Sequence, residues 1–185
     1  MQEKWNQLVF AIDHLRQDVL KFKVNFIDET GFKKYIDEHF GASFQSFKDV
    51  CLTGYFGEGI ANLICEKSKG QRSRIRIIIP LLNLRSVRDQ KSLASLRKMQ
   101  DVDVEIRINH RLHCRMLILT NEDYKGLLIL GSFDFNKEGM GAERRDAGIQ
   151  TQHPDLIKSA LDYFNELWEN KRDTFNLNEK YQESN

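Results

Sequence analysis

Apolar residues recur along this chain at two spacings. Spacing of three or four residues predicts amphipathic helices over residues 3–22, 30–41, 57–67 and 87–99, and over a last segment that starts at Pro154. Short apolar runs predict strands at residues 47–56, 74–79, 102–108, 114–119, 127–130 and 147–151. Helices and strands mostly alternate, and the strands are too apolar to face water. The pattern therefore predicts an α/β fold, with a mixed β-sheet sandwiched between helices.

The length of 185 residues suits a single domain. We expect residues 1–28 to form an N-terminal helical extension, residues 29–170 the main domain, and residues 171–185 a polar tail that frays. The apolar stripe of residues 3–22 is expected to pack on the core, with a dimer contact as the second interpretation.

Composition narrows the class of protein. The net charge of +1 gives no global attraction to nucleic acid or to anionic membranes, so any such attraction must come from local patches. The three cysteines are odd in number and widely spaced, which favours a reducing compartment over a disulfide framework. No signal-like or membrane-spanning apolar run stands out. We therefore expect a cytoplasmic protein with no stable membrane association.

The candidate chemistry lies between residues 112 and 136. His113 and Arg115 open one apolar strand, and Gly131 and Ser132 end the next. Two strands joined by a short turn bring these ends to one edge of a sheet. Attack on a phosphodiester without a metal requires a nucleophile, fixed positive charge around the phosphoryl oxygens and an acid for the leaving group. His113 can supply the nucleophile and Arg115 the charge. Ser132 can donate a further hydrogen bond, and Gly131 lets an anion approach the backbone.

This stretch resembles the signature of the phospholipase D-like superfamily, His-x-Lys-x4-Asp (the HKD motif) followed by Gly-Ser-x-Asn, and the resemblance extends over residues 47–170. His113 matches the family histidine and Ser132 the family serine. Three positions depart from the signature: Arg115 replaces the lysine, Thr120 the first aspartate and Asp134 the asparagine. Asp146 is the best match to a downstream acidic residue that steadies the histidine, and Glu143 is the second choice.

The resemblance implies a mixed sheet flanked by helices and a histidine that attacks phosphorus to form a phosphohistidine. A second histidine protonates the leaving oxygen. Because this chain holds one motif copy, the resemblance implies a homodimer with two His113 side chains facing each other, as in small endonucleases of the superfamily. No metal or cofactor would be needed.

Two functional hypotheses follow. The first is a phosphodiesterase, most plausibly a nuclease, whose flanking Arg111, Arg144 and Arg145 hold a polyanion. The alternative is a catalytically degenerate module that binds nucleic acid or a protein partner, because Asp134 near a phosphate would cost on the order of 4 kcal/mol. A lipid-directed enzyme ranks third, and a metal site from His110, His113 and Cys114 ranks last.

Overall fold

The computed structural model describes residues 24–28, 31, 34–35, 46–68, 73–82, 84–133, 135 and 146–178. The helix predicted over residues 3–22 lies outside the described residues. Of the helix predicted over residues 30–41, only residues 31, 34 and 35 are described, and all three are helical.

An eight-stranded mixed sheet forms the centre of the described structure. In chain order its strands are β1 (Asn25–Asp28), β2 (Asp49–Thr53), β3 (Arg74–Pro80), β4 (Glu105–Asn109), β5 (Arg115–Thr120), β6 (Gly126–Gly131), β7 (Ala147–Thr151) and β8 (Thr174–Asn176). Across the sheet the order is β1-β7-β6-β5-β2-β3-β4-β8. Strands β2, β3 and β4 pair in parallel, and all other pairs are antiparallel.

Helices cover both faces of this sheet. The helices α1 (Glu58–Ser68) and α2 (Val87–Gln100) pack with Val50 and Leu52 on one face. The helix α3 (Pro154–Glu169) packs with Cys51 and Met116 on the other. This arrangement confirms the predicted mixed sheet between two helical layers. In the described part of the chain, no helix has both the length and the apolar character needed to cross a membrane.

The predicted elements differ from the observed ones mainly at their ends. Strand β7 and the start of α3 agree with the prediction, whereas β4 begins at Glu105 because a turn occupies residues 101–103 and Asp103 adopts a positive φ of 62°. The sheet also extends beyond the predicted boundaries of the domain. Residues 25–28, expected in a helical extension, form the edge strand β1, which pairs with β7.

Residues 174–176, expected in a fraying polar tail, form the other edge strand, β8. They are ordered because Thr174 donates a hydrogen bond to the Leu167 carbonyl (2.7 Å) and Leu177 is buried in the core. One hydroxyl contact and one buried leucine thus accompany the pairing of this polar segment with the edge of β4.

A buried arginine and a buried cysteine lie between the sheet and α3. Arg76 Nη2 donates to Cys51 Sγ (3.4 Å), and Nη1 donates to Asn165 Oδ1 (2.8 Å). The guanidinium also lies over the rings of Phe164 and Trp168, at 5.1 Å and 5.7 Å from their centroids. Burial raises the pKa of the Cys51 thiol from 9.0 to about 11, although the Arg76 charge acts in the opposite direction.

The raised pKa of Cys51 predicts an alkaline loss of stability. The folded state keeps the thiol proton that the unfolded state releases above pH 9, so stability is full below pH 9 and declines as the pH approaches 11. We expect a loss on the order of 2 kcal/mol in the free energy of unfolding. Urea unfolding at pH 8 and pH 11 measures it, with Cys51→Ala as the control that removes this contribution. An equal decline in both proteins would assign the alkaline loss to other groups.

Candidate functional site

Several strand ends meet at one edge of the sheet. Met116 in β5 pairs with Thr53 at the end of β2, and Arg115 pairs with Gly131 at the end of β6. Gly131 in turn pairs with Gly148 near the start of β7. The segments that precede β5 and β7 and those that follow β2 and β6 therefore lie side by side. The structure brings the predicted residues His113, Arg115, Ser132 and Asp146 to this edge.

His113 lies two residues before the start of β5 and is exposed to solvent. Arg115, the first residue of β5, is half-buried and bends back so that its Nη1 donates to the His113 carbonyl (2.9 Å). Its Cζ lies 5.4 Å from the centroid of the Tyr55 ring. The Arg115 guanidinium is thus oriented by the backbone of the candidate nucleophile and by an aromatic face.

The segment in front of β5 is anchored by Thr53. The Thr53 hydroxyl donates to the Cys114 carbonyl (3.1 Å) and accepts from the Met116 amide (2.9 Å). Thr53 is fully buried, so these bonds hold the backbone on either side of Arg115 in a fixed position. A buried threonine at the end of β2 therefore positions the His113–Arg115 segment.

A second guanidinium lies at the Tyr55 ring. Arg88, near the start of α2, has its Cζ 5.4 Å from the same ring centroid as Arg115. Our sequence analysis missed Arg88 and Tyr55 as site residues, since neither lies in the matched motif. No pattern in the chain links residue 88 to residue 115, because their proximity depends on the β2–α1 turn. Two arginines and one tyrosine thus flank this edge of the sheet.

The position of the Arg115 side chain requires a glycine at residue 54. Its φ of 143° is a conformation that other residues rarely adopt. A Cβ on Gly54 would lie 2.9 Å from Arg115 Cδ and 3.4 Å from the Phe135 ring. The glycine therefore lets the Arg115 side chain pass close to the backbone at the end of β2.

Replacing Gly54 by alanine should displace Arg115 and strain the backbone. We expect the free energy of unfolding to fall by about 1–3 kcal/mol, because the backbone at residue 54 is strained and the Arg115 guanidinium no longer reaches its present position. Gly59→Ala adds the same methyl group within α1, where alanine is the better helix former. The measurement is urea unfolding of both variants. Equal effects of the two substitutions would mean that Gly54 has no special role.

Ser132 and Asp146 form a hydrogen-bonded pair at the same edge. The Ser132 hydroxyl donates to Asp146 Oδ1 (2.7 Å) and accepts from the Ala147 amide (3.3 Å). The Ser132 amide donates to the Ala147 carbonyl (3.1 Å). These contacts extend the β6–β7 pairing by one residue on each side. The expected role of Asp146 in steadying His113 stays a prediction.

Gly131 makes room for an aromatic ring. A Cβ on Gly131 would lie 2.5 Å from the Phe133 ring, and a Cβ on Gly148 would lie 2.6 Å from the same ring. Phe133 is buried in the core beside α1 and α2. The glycine thus has a packing reason in this structure, and close approach of an anion to its backbone stays a prediction.

The chain that follows Phe133 is tied to the β2–α1 turn. The Phe135 amide donates to the Tyr55 carbonyl (2.9 Å), and the Gly57 amide donates to the Phe135 carbonyl (2.8 Å). The rings of Phe56 and Phe135 stack with centroids 5.1 Å apart. These bonds connect the end of the motif to the turn that carries Gly54 and Tyr55.

Other predicted residues lie elsewhere or outside the described residues. Arg111 is exposed, and its Nε lies 3.6 Å from Asp173 Oδ1, which His110 Nε2 also approaches to 3.3 Å. Thr120 is buried at the opposite end of β5 from Arg115. Four candidates fall outside the described residues: Asp134, Glu143, Arg144 and Arg145. Among the residues that are described, no three or more His, Cys, Asp or Glu side chains form a group suited to a metal ion.

Comparison with known proteins gives matches only at the level of structure. No protein-family profile and no curated protein sequence matches this chain. The solved structure of the phospholipase D family member Nuc from Salmonella typhimurium aligns with a TM-score of 0.60 and 16% identity, over 82% of this chain and 96% of Nuc. NucT from Helicobacter pylori aligns with a TM-score of 0.59 and 16% identity, over 80% of this chain and 96% of NucT.

A longer protein shares the same architecture. Phosphatidylserine synthase from Haemophilus influenzae aligns with a TM-score of 0.62 and 14% identity, over 84% of this chain but only 39% of the synthase. This chain therefore corresponds to nearly the whole of Nuc and NucT, and to one part of the synthase. At these identities the comparisons establish the architecture of the chain, which is the phospholipase D-like fold.

Proposed function

We propose that this protein is a phosphodiesterase that cleaves nucleic acid through His113, without a metal ion, at the interface of a homodimer. The observation that carries the proposal is the position of an exposed His113 beside Arg115 and the Ser132–Asp146 pair at one sheet edge. The match to nearly the full length of Nuc and NucT supports a small enzyme of this fold.

The proposed reaction has two steps. In the first, an imidazole nitrogen of His113 attacks phosphorus, an N–P bond forms, and a P–O bond of the diester breaks. The leaving oxygen takes its proton from the His113 imidazole of the second subunit. In the second step water attacks phosphorus and gives a proton to that imidazole, the N–P bond breaks, and both histidines return to their starting states.

Charge at the site suits this reaction. The phosphoryl group gains negative charge on its equatorial oxygens, and fixed cations stabilise that charge more than they stabilise the substrate. Arg115 and Arg88 both place a guanidinium beside the Tyr55 ring at this edge of the sheet. The Ser132 hydroxyl, oriented by Asp146, is a further donor.

Cleavage in the presence of a chelator tests the proposal. Purified protein should cleave single-stranded DNA, RNA or a chromogenic phosphodiester at the same rate with and without EDTA, and sedimentation should show a dimer at the assay concentration. Activity that disappears in EDTA would overturn the metal-independent mechanism. A protein that is monomeric while active would overturn the shared site.

The second candidate is a binding module that has lost catalysis. The observation that favours it is the contact of Arg115, at the position of the motif lysine, with the His113 carbonyl and the Tyr55 ring. A guanidinium oriented in this way is not equivalent to the point charge of lysine. This candidate predicts DNA binding that weakens as salt rises, with no cleavage. Cleavage that appears only in the double variant Arg115→Lys with Asp134→Asn would support it.

A further inference from the structure

The helix α3 leaves part of its sheet face uncovered. Met116, Leu130, Ile149 and Phe26 lie in register on the neighbouring strands β5, β6, β7 and β1, and so they share one face of the sheet. Met116 lies beside α3 and is 2% exposed, whereas Phe26 at the edge is 75% exposed. Exposure of this apolar row therefore increases with distance from α3.

An apolar groove runs along this uncovered part. It has a volume of about 370 Å³. Its floor includes Leu130 and Ile149, and its wall is formed by Leu156 and Tyr163 of α3, which are 42% and 47% exposed. Cys114 lies at the end of the groove nearest the candidate site. Exposed apolar patches of this kind mark surfaces to which a protein, a ligand or a further segment of chain binds.

We propose that residues 3–22 of this same chain form an amphipathic helix that docks into this groove. The segment carries apolar residues at helical spacing along one face, namely Trp5, Leu8, Ile12, Leu15, Val19 and Phe22. It ends a few residues before β1, the strand that borders the groove, and a connection of that length is common between a helix and a strand.

The topology sets how the segment would lie. A helix that folds back onto the sheet from the start of β1 runs antiparallel to β1. Leu15 is seven residues before Phe22, or about 10 Å along a helix. The strand β1 has the same length, about 10 Å from Asn25 to Asp28. If Phe22 lies level with the start of β1, Leu15 therefore lies level with its end. Ile27 pairs with Gly148, Gly148 with Gly131 and Gly131 with Arg115, so Leu15 would lie level with Cys114 along the strand direction. Across the sheet the two are separated by up to about 14 Å, the three strand spacings from β1 to β5.

One contact would then cover two apolar surfaces. A second copy of the chain placed in the groove would hide the groove but leave the stripe of residues 3–22 exposed. Docking of the chain's own segment would bury both the groove and the apolar stripe. The part of this sheet face near β1 would then be covered by a helix that lies next to α3. This inference does not rest on the proposed function, because none of the residues that line the groove takes part in the proposed reaction.

A cross-link to the native Cys114 through a flexible bis-maleimide with a spacer of about 14 Å tests the placement, because that separation is too long for a disulfide. In a Cys65→Ser background, Leu15→Cys puts a thiol on the apolar face of the segment, and Gln17→Cys puts one on the opposite face. With this reagent we expect at least about five times more intramolecular cross-link to Cys114 from Leu15→Cys than from Gln17→Cys, measured by peptide mass spectrometry. Equal yields, no intramolecular cross-link, or a purely intermolecular cross-link would overturn the proposal.

Limited proteolysis gives a second test, in which no cysteine is introduced or replaced. Leu156→Glu places a charge in the groove, and Val87→Glu places one at an exposed position of α2. Trypsin cleavage after Arg16 and Lys21 should accelerate about tenfold in Leu156→Glu and stay unchanged in Val87→Glu. The same cleavage rate in both variants and the unaltered protein would contradict docking at this groove.

Discussion

Replacing His113 by alanine should lower phosphodiester cleavage at least about a thousandfold. The substitution removes both the proposed nucleophile of one subunit and the proposed acid of the other, so the covalent route through phosphohistidine is lost. His113 is exposed, and the described structure assigns contacts to its carbonyl rather than to its imidazole. The free energy of unfolding should therefore change by less than about 0.5 kcal/mol.

His110→Ala is the matched control for this prediction. His110 lies in the same loop, but its imidazole contacts Asp173 and stacks against Phe175 with ring centroids 6.2 Å apart. We expect His110→Ala to keep the cleavage rate within about threefold of that of the unaltered protein. Any decrease in rate should be accompanied by a decrease in the free energy of unfolding. Both variants are measured as kcat/KM with a chromogenic phosphodiester in EDTA. Equal activity in the unaltered protein and in His113→Ala would rule out the proposed nucleophile.

Replacing Asp134 by asparagine should accelerate cleavage. Asp134 takes the place of an amide in the superfamily signature, and Phe133 and Phe135 on either side of it are buried next to the β2–α1 turn. A carboxylate about 4 Å from the phosphoryl group opposes its charge by about 4 kcal/mol, and one at about 8 Å by about 2 kcal/mol, at an effective dielectric constant near 20. We expect an increase of at least about tenfold, with about a thousandfold as the upper bound.

Asp123→Asn controls for the general loss of one negative charge. Asp123 is exposed in the turn between β5 and β6, at the far end of β5 from Arg115. Its replacement should leave the rate within about twofold, because screening removes most of its effect at physiological salt. A slower Asp134→Asn enzyme would show that the carboxylate assists the reaction, for example as an acid, and would contradict the electrostatic argument.

The layers of this fold could be predicted from the sequence because each buried element has a clear apolar period. Strands such as Arg74–Pro80 and Ala147–Thr151 are bounded by residues that end strands, and α3 begins at a proline, a residue suited to the first turn of a helix. The edge strands could not be predicted in this way. Asn25–Asp28 and Thr174–Asn176 are short and partly polar, and only the neighbours β7 and β4 make them strands.

The site could be predicted only where its residues are close along the chain. His113, Arg115 and Ser132 belong to two strands joined by a short turn, so local pattern is enough to place them at one edge. Arg88 and Tyr55 come from segments far away along the chain and meet Arg115 only through the packing of the β2–α1 turn. For Arg111 the prediction from sequence was misleading. It is close to His113 along the chain, but its guanidinium lies beside Asp173, next to β8.

The junction between β2 and β5 has a consequence for how the molecule is assembled. On one side of it the strands run in parallel, and on the other they form successive hairpins. The Met116 amide reaches the Thr53 hydroxyl over a sequence separation of 63 residues. Closing so long a loop is slow compared with forming a hairpin. The hairpin that bears His113 can therefore form early, but its reactive edge is complete only after the two halves of the protein have joined.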